Sequence, residues 1–391
     1  MTLSNSIQAD HPLVTGWRHQ LHQTPELCYE EVQTSEFVAK TLAEIGVDEI
    51  HRGLGKTGVV AVIHGKKSKD QAGQGRTIGL RADMDGLPIT EVHDHAYKSQ
   101  NPGKMHACGH DGHTAMLLGA AKHLSETRNF DGTVHLIFQP AEEGGAGARS
   151  MIRDGLLEKF PCDEIYGMHN LPGLPVGEFA IRPGGIMACP DGFDIEIEGR
   201  GGHAALPHQS ADPIYIGSLI VQALQGLVSR ETDPIGKVVL SVTQFHAGNT
   251  HNVIPHGAKI GGTIRTLDPA DRDRMERRLK EVAEGIAAAY GARATVISRR
   301  SYPVTVNHAT ETTLAADAAV SVVGEDQVER NCDPLLGGED FAYMLEERPG
   351  AYIFIGNGDS TGLHHPEYNF NDAAIPYGVA YWTQLVEARL A

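Results

Sequence analysis

Cysteine and histidine cluster in one short segment of the chain, Met105 to His113, which reads MHACGHDGH. His106, Cys108 and His110 alternate there, so on an extended backbone their side chains point the same way. A Cys-x-His pair of this kind can hold a metal, because thiolate suits soft ions and imidazole suits Zn, Ni, Co or Mn. The segment therefore predicts a metal site, the alternative being a glycine-rich loop with a buried structural cysteine.

Two adjacent carboxylates follow in the segment QPAEEGG, residues 139–145. Neighbouring side chains on a non-helical turn diverge, so one glutamate can bind metal while the other faces the substrate-side water. A carboxylate that takes a proton from water beside a metal ion acts as a general base in hydrolysis. The alternative is a solvated pair at a helix N-terminus, and the position after a buried strand favours the functional interpretation.

Other short motifs along the chain each carry one or two polar residues that could act in binding or catalysis. Single histidines occur in GMHN (167–170) and LHHP (363–366). In GTIRT, Arg265 can pair with a substrate carboxylate, and in GGHAALPH, His203 can donate a hydrogen bond to a developing oxyanion. Ordinary strand-face and loop roles are the alternatives for these two residues, and Asn252 lies in a similar polar motif, NVIP.

Short apolar runs predict the strands that position these groups: 58–64, 77–82, 133–138, 164–168 and 351–356. Helical spacing predicts helices within 13–46, interrupted near Pro25, and another that Asp111 can cap. This alternation predicts an α/β domain with a mixed, mostly parallel sheet flanked by helices. Ligands in such folds bind at the carboxyl ends of the strands, where the polar clusters fall.

The pattern changes near Pro190, where strands and helices follow the order β-α-β-β-α-β of a ferredoxin-like α+β domain. We therefore predict a discontinuous catalytic domain, 1–187 and 303–391. We expect the segment 188–302 to be an inserted domain.

Composition narrows the functional class. The chain has 391 residues and a formal net charge of −17, which is the wrong sign for a nucleic-acid partner. Its five cysteines are scattered and odd in number, unlike a secreted disulfide framework. No signal-like apolar segment or long apolar run is visible. The expectation is a cytoplasmic enzyme with a small-molecule substrate and neither a membrane nor a nucleic-acid partner.

Taken together, these segments resemble the amidohydrolase branch of the aminoacylase and glutamate-carboxypeptidase superfamily of di-metal metallopeptidases. That branch includes the hippurate hydrolases, the N-acyl-amino-acid amidohydrolases and the plant auxin-conjugate hydrolases. The matching stretches run in family order from residue 80 to residue 372. They are LRADMDGLPI, MHACGHDGHTAMLLGAA, FQPAEEGGAGA, GMHN, GGHAALPH, HNVIP, GTIRT, GGEDFAYM and GLHHPEYNFND. The motifs CGHDGH and PAEEGG are the most specific of these.

The resemblance implies two divalent metal ions, Mn or Zn, with Ni or Co as alternatives. The metal ligands it implies are Cys108, His110, Glu143, His169 and His364, with neighbouring His365 left open as a substitute for the last. The catalytic residues it implies are Glu142 as general acid and base, Asp85 as a residue that orients a ligand, and His203 at the oxyanion. The substrate contacts it implies are His203, Asn252 and Arg265. Asp83 stands where other branches carry histidine, and its role stays open.

The activity implied is hydrolysis of the amide bond of N-acyl amino acids, such as hippurate, to a carboxylate and a free amino acid. The resemblance also implies that the inserted domain, 188–302, is a lid and dimerisation domain through which a homodimer or homotetramer forms. An N-acyl-diaminopimelate deacylase or a dipeptidase of the same superfamily is one alternative. A non-catalytic metal-binding relative is another, although such a protein has no need of the base Glu142.

Overall fold

The computed structural model describes residues 3–66 and 75–391, and the chain divides into two compact units. Unit 1 comprises Met1–Gly184, Val306–Asp333 and Asp340–Ala391, and unit 2 comprises Gly185–Thr305 and Pro334–Glu339. The short return of the chain to unit 2 at residues 334–339 has no counterpart in the sequence prediction of a single insertion.

The helices and strands have the following bounds. The helices are α1 (Asn5–Gln23), α2 (Val32–Ile45), α3 (His110–Thr127), α4 (Gly147–Arg153), α5 (Leu156–Lys159), α6 (Pro213–Ser229), α7 (Pro269–Ala289), α8 (Ala309–Val323), α9 (Ala342–Glu347) and α10 (Ile375–Arg389). The strands are β1 (Glu49–Leu54), β2 (Gly58–His64), β3 (Thr77–Asp83), β4 (Thr133–Gln139), β5 (Glu164–Leu171), β6 (Phe179–Ala180), β7 (Gly184–Met187), β8 (Cys189–Glu198), β9 (Gly202–His203), β10 (Val238–Ala247), β11 (Val253–Ile254), β12 (Gly257–Thr266), β13 (Arg293–Arg299), β14 (Thr305–Asn307), β15 (Val328–Glu329) and β16 (Gly350–Gly356).

Unit 1 is built on a mixed sheet with the order β1-β2-β4-β3-β5-β16-β6-β15. Its centre is parallel, because β3 pairs in parallel with β4 and β5, and β5 with β16. Every residue of β4 and β16 is buried. Helices cover both faces of such a sheet, so its central strands read as continuous apolar runs. The predicted mixed, mostly parallel α/β fold is confirmed.

Helix α3 is the central helix of unit 1, and nearly all of its first twelve residues are fully buried. Small residues let neighbouring helices approach it closely. Gly119 faces Val14 of α1 and Val379 of α10, and a Cβ there would lie 2.6 Å from the Val379 side chain. This packing holds α3 in place, and the first residue of α3, His110, belongs to the candidate metal site.

Unit 2 contains an antiparallel sheet in the order β10-β12-β8-β13, with α6 and α7 packed on it. The alternating burial of β8 reflects one face on this core and one face outward. A separate two-stranded ribbon pairs β9 with β11. In the part of the chain that the structure describes, no helix is long and apolar enough to span a bilayer.

Candidate metal centre

The carboxyl ends of the central strands of unit 1 bring distant polar residues together. Asp83 at the end of β3 lies in register with Gln139 at the end of β4. Strand β5 is the other neighbour of β3, and its His169 lies in register with Phe354 of β16. The parallel direction of these strands places the segments that follow them at one edge.

Gly109 sets the geometry of the Cys108–His110 pair. Its φ of +90° lies in the left-handed region, and a Cβ there would overlap the Asn170 amide. The chain therefore turns directly into α3 at His110. The donor atoms of Cys108, His110 and Glu143 all lie within 4.8 Å of one another.

Two expectations for this segment are wrong. His106 does not join the Cys108–His110 pair, because the segment is not an extended strand; its ring instead lies 6.2 Å from that of His22. Asp111 does not cap α3, because the helix already begins at His110. Its carboxylate is buried and accepts hydrogen bonds from Arg18 and His22 of α1.

Of the two buried histidines proposed as ligands, only His169 is held by a hydrogen bond at a ring nitrogen. His169 Nδ1 donates to the carbonyl of Asn170 at 2.7 Å, which leaves Nε2 facing the Cys108 sulfur at 3.4 Å. His110 Nδ1 lies 3.3 Å from Asp85, and neither of its ring nitrogens makes a hydrogen bond with a described residue. An imidazole held at Nδ1, as that of His169 is, presents Nε2 to a metal, and both ring nitrogens of His110 are without a hydrogen bond to a described residue. The donor set therefore fits a divalent cation.

Glu142 and Glu143 diverge from one turn, as the sequence predicts. Glu143 Oε1 lies 3.0 Å from Nε2 of His364, a residue with the unusual φ of +62°. Glu143 is half-buried, whereas Glu142 is buried and its Oε1 accepts the amide N–H of Asp340 at 3.4 Å. His365 Nδ1 accepts a local hydrogen bond from the Glu367 amide.

Asp85 holds this turn and a histidine at once. Its Oδ1 accepts the amide N–H of Glu142 and its Oδ2 that of Glu143, both at 3.0 Å. The same carboxylate faces His110. Successive backbone amides that converge on an anion form a stable cradle. Asp85 therefore holds the backbone of both glutamates and lies beside the His110 ring.

Asp83 and His113 belong to a hydrogen-bond network beside the candidate metal site, and the sequence analysis did not predict this network. His113 Nε2 accepts the amide N–H of Asn170 at 3.0 Å, so its Nδ1 must carry the proton that it donates to Asp83 at 2.6 Å. Arg81 donates to the other Asp83 oxygen. Asp83, His110, His113 and His169 also offer atoms within 4.8 Å of one another. Because both nitrogens of His113 already have protein partners, we interpret His113 as a support rather than a ligand.

Electrostatics at the centre favour a cation. Burial alone would lower the pKa of His110, but the charges of Asp83 and Asp85 outweigh it and raise that pKa to about 10. Burial, followed by the charge of Glu143, raises the pKa of the Cys108 thiol well above its ordinary value. Coordination by a divalent cation has the opposite effect on the pKa of a thiol, because it lowers that pKa until the thiol is deprotonated.

The remaining predicted residues lie in unit 2. His203 of β9 pairs with Val253 of β11, and the Ala204 amide donates to the carbonyl of Asn252 at 3.1 Å, so His203 and Asn252 lie close together. Arg265 lies on a different sheet, in β12, where its guanidinium donates to the Ile264 carbonyl and the Thr263 hydroxyl.

Comparison with known proteins identifies the class. Residues 79–388 match the family model described as Peptidase family M20/M25/M40. The chain is 42% identical to hippurate hydrolase of Campylobacter jejuni, over 94% of each chain. It is 43% identical to N-acetyl-L-cysteine deacetylase of Bacillus subtilis, over 92% of this chain and 84% of the relative.

A solved structure of a similar protein supports a metal site. The YXEP protein of Bacillus subtilis, described as a dinuclear metal binding peptidase from the M20 family, superposes with a TM-score of 0.85 at 36% identity, covering 98% of this chain and 99% of that one. The chain thus belongs to peptidase family M20/M25/M40 and is a hydrolase that binds divalent metal.

Proposed function

We propose that this protein is a two-metal amidohydrolase that cleaves the amide bond of N-acyl amino acids, including hippurate, to a carboxylate and a free amino acid. The observation that carries the proposal is the divergence of Glu142 and Glu143 from one turn. Glu143 lies in a group with Cys108 and His110, whereas Glu142 is buried outside it. The names of its relatives, a hippurate hydrolase and an N-acetyl-L-cysteine deacetylase, support acyl amino acids as the substrate class.

The proposed metal ligands are Cys108, His110, Glu143, His169 and His364. Contact with Glu143 supports His364 over its neighbour His365. When bound, divalent ions polarise the amide carbonyl and acidify water. A set that mixes thiolate, imidazole and carboxylate suits Zn or Mn, with Ni or Co as alternatives.

Side chains of the protein carry out proton transfer, oxyanion stabilisation and substrate binding. Glu142 accepts the proton of the attacking water and later delivers it to the leaving nitrogen, as a general base and then a general acid. Asp85 keeps Glu142 in place through its backbone amide. On motif position, His203 donates to the developing oxyanion, and Asn252 and Arg265 contact the substrate.

Two variants test the proposal against hydrolysis of hippurate and N-acetyl-methionine. Glu142→Gln should keep wild-type metal content and lose most of kcat, because only the proton carrier is removed. Cys108→Ala should lose bound metal, measured by elemental analysis. A chelator should abolish wild-type activity, and Mn, Zn, Co or Ni, each added back alone, should restore it and rank the metals. Near-normal turnover by Glu142→Gln would exclude its role.

We also propose a homodimer formed through unit 2, with a homotetramer as the alternative outcome. Strand β10 lies at the edge of its sheet, and Phe245 on it is 39% exposed. Ile214 and Tyr215 of α6 are also exposed apolar side chains. Open strand edges and apolar patches favour association. Sedimentation of Phe245→Lys beside wild type tests this, since an unchanged oligomer would exclude the β10 edge.

The proposed compartment is the cytoplasm. Cys28, Cys108, Cys162, Cys189 and Cys332 are all free thiols in the structure, which supports a reducing environment. Fractionation of the native host followed by immunodetection tests this assignment.

A further inference from the structure

The short segment between α1 and α2, Cys28 to Glu31, contacts the turn that carries the two glutamates. We name residues 140–145 the carboxylate turn. The Cys28 thiol donates to the carbonyl of Glu143 at 3.2 Å, and the Tyr29 hydroxyl donates to the carbonyl of Gly145 at 2.8 Å. Glu31 Oε1 accepts the amide N–H of Ala141 at 2.9 Å. Three side chains of one segment thus bind the backbone of the turn.

The carboxylate turn needs such support because its backbone is strained. Ala141 has a φ of +54°, in the left-handed region that residues with a Cβ rarely adopt. Conformations of this kind persist only where the surroundings enforce them. Asp85 binds the next two amides of the turn, so Glu31 and Asp85 together hold three consecutive N–H groups.

Glu31 is available for this contact because another residue caps the helix that follows it. Glu31 occupies the N-cap position of α2 but makes no side-chain capping bond. The carboxylate of Glu26 instead accepts the amides of Gln33 and Thr34. The fully buried Glu31 carboxylate is therefore free to bind Ala141 through Oε1 and the Thr57 hydroxyl, at 2.6 Å, through Oε2.

We propose that Glu31, supported by Tyr29, is a positioning residue that sets where the carboxylates of Glu142 and Glu143 point. This inference rests on the proposed function, in which Glu143 binds metal and Glu142 moves the proton. Loss of Glu31 leaves the strained Ala141 peptide without its acceptor. The turn then relaxes, which misplaces a metal ligand and a catalytic base together.

The experiment compares Glu31→Met, Glu31→Gln and Tyr29→Phe. Glu31→Met removes the acceptor, and we expect kcat at saturating metal to fall roughly 10- to 100-fold, with a similar weakening of Mn²⁺ or Zn²⁺ binding. KM should change less than kcat. Glu31→Gln keeps an oxygen for the Ala141 amide and should recover most of both losses. Tyr29→Phe loses one neutral hydrogen bond and should cost about fivefold.

Glu30→Gln is the matched control, because Glu30 is exposed and its ion pair with Lys104 lies at the surface. Calorimetric titration of the metal-free protein with Mn²⁺ or Zn²⁺ measures affinity without any substrate. If wild type fails to cleave acyl amino acids, the proposed function is lost, but the metal titrations still test the positioning role. Wild-type metal affinity and kcat in Glu31→Met would overturn the inference. If Glu31→Met does not fold, an unchanged Tyr29→Phe would overturn it.

Discussion

His113 joins two buried groups beside the candidate metal centre, and its replacement should weaken the fold without removing a metal ion. It donates to Asp83 at 2.6 Å and accepts the Asn170 amide at 3.0 Å. A hydrogen bond to a charged group contributes about 1.5–3 kcal/mol, and an unsatisfied buried amide costs about 1–3 kcal/mol. His113→Met should therefore lower the free energy of unfolding by about 3–5 kcal/mol.

Urea unfolding of the metal-free protein measures this loss, and elemental analysis after saturation with metal measures stoichiometry. His113→Asn keeps a donor near Nδ1, and His113→Gln keeps an acceptor near Nε2, so each should lose only part of the stability. His123→Met, at a partly exposed position of the same helix, is the control. A His113→Met variant that keeps metal-free stability and loses one metal equivalent would refute the supporting role, because His113 would then be a ligand.

Three further measurements follow from buried groups of unit 1. Arg81→Met should cost about 3–5 kcal/mol in urea unfolding, because it removes a buried cation that pairs with the carboxylates of Asp83 and Asp340, and wild-type stability would contradict this. Burial lowers the pKa of His135 to about 4, below its ordinary 6.5, so the folded state loses stability as pH falls through this window. The loss should reach about 3 kcal/mol, and a His135→Gln curve that runs parallel to wild type across the window would refute it. Metal at about 100 times its dissociation constant should stabilise wild type by about 2.7 kcal/mol in the same assay but leave Cys108→Ala unchanged, and equal stabilisation of both would contradict the ligand assignment.

The central strands of unit 1 could be predicted from the sequence because strands buried on both faces consist of continuous apolar residues. The apolar runs at 58–64 and 133–138 became β2 and β4 with nearly the same ends. The start of α3 could not be predicted as well. The sequence suggested Asp111 as its cap, but that carboxylate bonds to Arg18, which is 93 positions away along the chain. The local preference of aspartate for the N-cap position is thus outweighed by its ion pair with a residue that is distant in sequence.

Among the candidate site residues, those with distinctive metal chemistry could be named from the sequence, and their supports could not. Cysteine, histidine and paired glutamates in short motifs indicate candidates for metal binding, and the resemblance to a known family selects among them. Glu31 lies in a plain polar segment, and nothing in its neighbours links it to Ala141, 110 positions later. A signal for His113 was present in the motif CGHDGH, but its residue type does not separate a ligand from a support.

By itself, the sequence determined the chemistry available to this protein: a thiol with imidazoles in one short segment, and a pair of carboxylates and a further imidazole after predicted strands. Residue type and strand order suffice for that, because both are local properties of the chain. Only the tertiary structure decided which atoms remain free for metal. His169 and His113 are both buried histidines, yet the Asn170 carbonyl leaves His169 Nε2 open, whereas the Asn170 amide occupies His113 Nε2. That difference depends on hydrogen-bond partners that folding brings together.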